Sequence, residues 1–161
     1  MSLPVRKRNR LKAFDYSTQA AYFITIQAKD RKNIFWENAE DKVVDKAQIR
    51  LSVVGRIVEK AIRMIGERYT WAIAEKFVIM PNHVHILLRL EKSDEDWKIC
   101  SVSTVIQQMK GYATKSAGFS LWQKSFHDHV VRGERDYLKI MEYIENNPIR
   151  WKEDCYYSDN E

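Results

Sequence analysis

The sequence predicts an α+β fold in which helices lie against an antiparallel sheet. Three features predict it. A β-branched and aromatic run stands early in the chain, a later stretch carries apolar residues at helical spacing, and two strand-like runs are joined through a tight Met80-Pro81-Asn82 connection. With the later segments they give the order βαββαβα and no internal repeat.

Residues 20–28 (AAYFITIQA) read as the first strand, and the polar segment 33–46 as a loop with a short edge strand or turn. Val54, Ile57, Val58, Ala61, Ile62 and Ile65 then recur at i, i+3, i+4, i+7, i+8 and i+11, the spacing of one helix face. The runs 71–80 and 83–90 form an antiparallel hairpin, because Pro81 cannot donate to a ladder and Asn82 favours a turn. A second helix presents Val102, Val105, Ile106, Met109 and Ala113 on one face. Residues 125–132 are expected to form a last strand. The third helix runs over 134–147 and stops before Pro148, since the residue preceding proline is driven out of helical conformation.

At 161 residues and 45% hydrophobic, the chain is sized for one core, so residues 1–161 are expected to form one domain with a basic arm over 1–15 and an acidic tail over 152–161. Five Gly, three Pro and an aromatic content of 12% exclude a disordered or linker-rich protein. Cys100 and Cys155 lie far apart with no CxxC partner, which argues against a zinc ribbon, a disulfide framework or a thioredoxin-like site. No apolar run reaches the ~18 residues of a membrane span, and MSLPVRKRNR carries charge without an apolar signal core. A cytoplasmic protein with no membrane partner is expected.

Lys and Arg number 27 against 22 Asp and Glu, a net charge of +5 that is mild for a nucleic-acid binder, so distribution matters more than total. Arg6, Lys7, Arg8, Arg10 and Lys12 crowd the N-terminal arm, and the stretch 107–124 carries Lys110, Lys115 and Lys124 with no acid. Such placement suits phosphate contacts, with Arg6, Lys7, Arg8, Arg10 and Lys110 as the candidates; it equally suits a solvated surface and a frayed terminus.

Side chains alternate along a strand, so Val84, Ile86, Leu88 and Leu90 share one face and His83, His85, Leu87 and Arg89 the other. Two imidazoles at i and i+2 can bind one divalent ion, which is half of a metal site; the same spacing fits two half-exposed sheet histidines. His127 and His129 repeat the pattern. On the third helix Tyr137, Leu138, Ile140, Met141 and Ile144 form the core stripe, and Tyr143 falls outside it. Asn147, four residues on, shares its flank. Tyr143 is therefore either a reactive phenol or a helix-flank tyrosine packing on a neighbour.

The strings VIMPNHVHILL (78–88), WQKSFHDHVVR (122–132) and YIENNP (143–148), followed by Trp151, resemble the single-tyrosine HUH transposases, specifically the REP-associated tyrosine transposase branch. The resemblance runs from the first strand to about Trp151. It implies a ferredoxin-like sheet with helices mainly on one face, and cleavage and rejoining of single-stranded DNA beside hairpins through a 5′-phosphotyrosine link. Carried over, His83 and His85 match the metal-binding histidines, Tyr143 the nucleophile, and Asn147 the position where relatives use Gln or Asn as a further ligand. His129 matches a recurring position of uncertain role. The implied cofactor is Mg2+ or Mn2+, the implied partner is hairpin-bearing single-stranded DNA, and a monomer is favoured over a homodimer. Two rivals stand beside this reading, a non-catalytic hairpin-binding protein and a hydrolytic metal nuclease in which Tyr143 is incidental.

Overall fold

The computed structural model describes residues 20–38, 45–91 and 101–157. Strand β1 spans Ala20–Gln27, helix α1 Val53–Arg68, β2 Ala72–Ile79, β3 His83–Leu90, α2 Val102–Ala117, β4 His127–Val130 and α3 Gly133–Asn146. The four strands form one antiparallel sheet in the order β2-β3-β1-β4. This is the ferredoxin-like βαββαβ plan followed by one more helix.

Register decides which residues share a face. His83, His85, Leu87 and Arg89 pair with Gln27, Thr25, Phe23 and Ala21, and Thr25 and Phe23 pair onward with His127 and His129. All of these side chains therefore stand on one face. The opposite face carries Tyr22, Ile24, Ile26, Val84, Ile86 and Leu88, every one fully buried beneath α1 and α2 in the main core. Two of the three helices thus share a face, as expected, while α3 crosses the histidine face, packing Ile140 and Ile144 on Leu87 with Phe23 and Val78 alongside. Burying each isoleucine stabilises this attachment by about 1.5–3 kcal/mol.

Local chemistry sets the boundaries. Ser52 caps α1, its Oγ accepting from Gly55 N at 3.0 Å while donating to the Ile34 carbonyl at 2.6 Å. Ser101 caps α2 in the same way, and Gly118 closes it with φ of 83°, a left-handed conformation that costs glycine nothing. In the β2–β3 connection Met80 N donates to His83 O at 2.8 Å, and the carbonyls of Pro81 and Asn82 accept from Phe35 N and Ala28 N. The hairpin that carries the histidines is therefore tied to the loop after β1.

Three expectations need correction. The last strand is only four residues long, because β4 pairs with β1 alone and its ladder ends at Thr25–His127. Leu138 is 57% exposed and not part of the α3 stripe, since a helix lying on one sheet face buries a single side and Leu138 projects from the other. Asn147 lies just beyond α3 as its C-cap residue, still in right-handed helical conformation. The loop expected over 33–46 holds one isolated bridge, Trp36 to Leu51, among the described residues.

Gly55 is where α1 meets that loop. A Cβ built there would lie 2.1 Å from the Phe35 carbonyl oxygen, whereas at Gly66 and Gly111 it would meet nothing within 4 Å. Gly55→Ala is expected to destabilise the protein by about 1–3 kcal/mol despite alanine's better helix propensity. Gly66→Ala and Gly111→Ala are expected to stabilise it by up to about 1 kcal/mol each. Urea unfolding of the three variants checks the contrast, and a stabilised Gly55→Ala protein would show that α1 does not approach the loop this closely.

Candidate active site

Three segments meet on the histidine face. β3 presents His83 and His85, α3 and its last turn present Tyr143 and Asn147, and the turn after Trp151 brings Asp154. Trp151 itself is 1% exposed and anchors this turn in the core.

The two imidazoles are 0% and 1% exposed, so they are core side chains and not half-exposed ones. Their hydrogen bonds fix the chemistry. Asn82 Nδ2 donates to the Tyr156 carbonyl at 2.7 Å, which turns Asn82 Oδ1 toward His83 to accept from its Nδ1–H at 2.8 Å. The proton on Nδ1 leaves a lone pair on His83 Nε2. That lone pair faces His85 Nε2 at 3.1 Å and Asp154 Oδ2 at 3.6 Å. His85 Nδ1 lies 2.8 Å from Thr25 Oγ1, a hydroxyl able to donate or accept. With Thr25 donating, His85 carries its proton on Nε2 and donates a hydrogen bond to His83 Nε2. With Thr25 accepting, the proton sits on Nδ1 and both Nε2 lone pairs converge. A tautomer change and one hydroxyl rotation thus turn a hydrogen-bonded pair into a two-nitrogen donor set without moving a heavy atom.

Burial lowers both histidine pKa values, with the neighbouring His85 adding to the effect at His83, and His85 falls to about 3. Both rings are neutral at neutral pH, so the His83–Asp154 approach is not an ion pair. Asp154, its side chain 3% exposed, has its pKa raised by burial, opposed by the hydrogen bond from Tyr156 N to Oδ1 at 2.8 Å. Oδ2 remains aimed at the histidines. One ligand atom from each of His83, His85 and Asp154 lies within 4.8 Å of the others, and the buried Asn147 Oδ1 has no hydrogen-bond partner. Two neutral nitrogens and a carboxylate fit a divalent cation, and the orphaned Asn147 oxygen, in the cleft lining with Tyr143 and Asp154, is a candidate further donor. The partners of the outer ring nitrogens, Asn82 and Thr25, are the supports such a site requires.

Tyr143 stands at the rim, 43% exposed. Its ring meets Phe23 edge-on at 5.9 Å and His85 at 5.3 Å, so the phenol is braced against both the sheet and a candidate ligand. Burial and then Asp154 raise its pKa, while a side-chain hydrogen bond with Asn147 opposes the rise.

A family model described as "Transposase IS200 like" matches residues 16–147. The chain belongs to this IS200-like transposase family. An uncharacterised Haemophilus influenzae protein is 29% identical over 96% of this chain and 94% of its own length. A REP-associated tyrosine transposase of Escherichia coli is 29% identical over 46% of this chain and 42% of its own length. A solved REP-associated tyrosine transposase bound to a REP hairpin superposes with a TM-score of 0.60 at 19% identity, covering 88% of this chain and 74% of that one, which shows a shared fold.

Within this IS200-like frame, His83, His85, Tyr143 and Asn147 are brought together, and the other candidates are not. His129 is on the same face but two strands from His85, where its Nε2 lies 2.7 Å from Asp136 Oδ2. Asp136 also accepts from Arg132 N at 2.9 Å, so the pair braces the start of the helix that carries Tyr143. His127 is exposed on the β4 edge. Lys110, on α2 beneath the opposite face, donates to the Gln123 carbonyl at 2.8 Å and holds the loop before β4. Arg6, Lys7, Arg8 and Arg10 lie outside the described residues. Asp154 went unnoticed because an acidic tail reads as solvated; the one signal that this tail packs is Trp151 with Tyr156 and Tyr157 around it.

If the cluster takes a cation, Mn2+ should raise the thermal midpoint of the wild-type protein, by an amount equivalent to about 2.7 kcal/mol at 100 times Kd. His83→Ala, His85→Ala and Asp154→Ala should each remove most of that shift, and His127→Ala should keep it. Differential scanning calorimetry decides; a shift lost with His127 and kept without His83 would move the site to β4.

Proposed function

We propose that this chain nicks and rejoins single-stranded DNA beside hairpins, with Tyr143 as nucleophile. The observation that carries the reading is the meeting of an accessible phenol with two buried, neutral imidazoles and a carboxylate at the edge of one sheet face. Membership of a transposase family supports it, as does the shared fold with a REP-hairpin-bound relative.

In this reading the Tyr143 oxygen attacks phosphorus, the phosphorus–O3′ bond breaks, and the strand is left with a 5′-phosphotyrosine and a free 3′ hydroxyl. The phenol proton leaves to solvent or a nearby base, and the departing 3′ oxygen takes up a proton. The phosphodiester energy is kept in the tyrosyl link, so the reverse attack reseals DNA without another energy source. Asn147 orients the phenol through its side chain, and Phe23 and His85 hold the ring so that little orientational freedom remains to be lost. His83, His85, Asp154 and Asn147 would hold the divalent cation, which supplies electrostatic stabilisation to the nonbridging phosphate oxygens and offsets the charge of Asp154. A donor set with two imidazoles suits Mn2+ better than Mg2+, which prefers oxygen. Hairpin-bearing single-stranded DNA is the partner. The arm residues Arg6, Lys7, Arg8 and Arg10 remain candidates for its phosphates, and a monomer is favoured over a homodimer.

Wild-type protein incubated with single-stranded hairpin DNA and Mn2+ is expected to form a denaturation-resistant protein–DNA adduct. Tyr143→Phe, which removes one oxygen and almost no volume, should abolish the adduct and leave DNA binding, whereas Tyr112→Phe should form it normally. Gel shift under denaturing conditions and peptide mapping read the outcome. Cleavage that persists in Tyr143→Phe without an adduct would favour a hydrolytic nuclease, and binding without any cleavage by the wild type would favour a hairpin-binding protein.

A further inference from the structure

A cleft of about 480 Å³ opens on the outer side of Tyr143, between α3 and the turn that carries Asp154. Its floor follows one stripe of the helix. Lys139, Tyr143, Asn146 and Arg150 recur at i, i+4, i+7 and i+11, and the chain keeps winding past α3, with Arg150 N donating to the carbonyls of Asn146 and Asn147. Lys139 therefore stands about 6 Å along the axis before Tyr143, and Arg150 about 10 Å after it. Both cations are exposed, and among the described residues neither makes a close ion pair, in contrast to Lys46 and Lys76 on Glu145 or Arg89 on Glu75, although the charge of Lys139 also acts on Asp136.

The remaining wall is not basic. Glu142, Glu153 and Asp154 also line the cleft, and of the three Asp154 is the one turned toward His83. Asp154 has a use in the proposed metal site, but a groove serving only to track phosphates has none for Glu142 and Glu153, which would repel the strand. A nucleobase, in contrast, offers acceptors and donors side by side, and guanine matches this wall: O6 and N7 accept from arginine or lysine, and its amino group donates to a carboxylate. The volume suits a nucleotide-sized ligand.

We propose that this cleft is a nucleotide subsite that holds the DNA residue flanking the scissile phosphate and selects guanine there. Arg150 and Lys139 donate to the base and its phosphate, Glu142 or Glu153 accepts from the amino group, and Asn146 adds a donor and an acceptor. The placement beside the scissile phosphate rests on the reading of Tyr143 as nucleophile; the base preference does not.

The test titrates the four deoxynucleoside 5′-monophosphates into the full chain without divalent metal, following the binding by NMR. dGMP should bind about tenfold more tightly than dTMP. Arg150→Gln and Lys139→Gln, surface changes that leave the fold alone, should each weaken dGMP severalfold, and Arg150→Gln should erase its advantage. Equal binding of all four nucleotides, no binding of any of them, or an unchanged dGMP preference in Arg150→Gln would overturn the proposal. A parallel adduct assay on single-stranded DNA randomised in sequence separates this failure from that of the nucleophile. A wild-type adduct with no guanine enrichment next to the cut removes the subsite alone, and a dGMP preference without any adduct removes the role of Tyr143 alone.

Discussion

Two buried imidazole nitrogens held 3.1 Å apart are the constraint on which the rest of this site depends. The strand pleat puts His83 and His85 on one side, and burial keeps both neutral. Asn82 then commits the proton of His83 to the outer nitrogen and turns its lone pair inward, against a second nitrogen and a carboxylate. Left without a proton or a cation between them, three acceptors this close in a low-dielectric setting repel one another. The cluster is consequently stable with a shared proton or a positive ion, and the Thr25 hydroxyl accommodates either. Its rigidity comes from the sheet, because β3 and β1 are the two inner strands and both contribute to it.

The architecture separates stability from chemistry. One sheet face, closed by α1 and α2, holds most of the apolar core; the other carries the polar cluster and is covered in part by α3. α3 therefore has two tasks. Ile140 and Ile144 fasten it to Leu87, while the next flank of the same helix exposes Tyr143 and Lys139, with Arg150 in line beyond its end. Its start is braced by the His129–Asp136 pair, and its far end runs into the turn that Trp151 anchors and from which Asp154 reaches His83. Tyr143 and the proposed ligands are thereby fixed relative to each other by packing on both sides of Tyr143.

Much of this was legible in the residues. Alternation along 83–90 separates the histidines from Val84, and helical spacing sets Tyr143 apart from Ile140 and Ile144, because both periods are properties of the backbone. Depth was not legible. A period-2 pattern says which face a histidine occupies but not whether a later segment covers that face, and here the covering turn, with Trp151 and Tyr156, comes some 70 residues afterwards. Asp154 was hidden for the same reason, since its role depends on a long-range approach that no local spacing encodes. Lys110 shows the same limit: a lysine in an acid-free stretch reads as a phosphate contact, and no local spacing encodes that its ammonium donates to the Gln123 carbonyl. Leu138 lies outside the buried stripe because a helix lying on a single sheet face buries a narrower stripe than a fully packed one.

The most direct measurement of the central claim is pulsed electron paramagnetic resonance of Mn2+ bound to the purified protein. Modulation from two directly coordinated nitrogens is expected, reduced to one in His83→Ala and in His85→Ala. Bound Mn2+ with no nitrogen coupling, or with coupling unchanged in both variants, would contradict it.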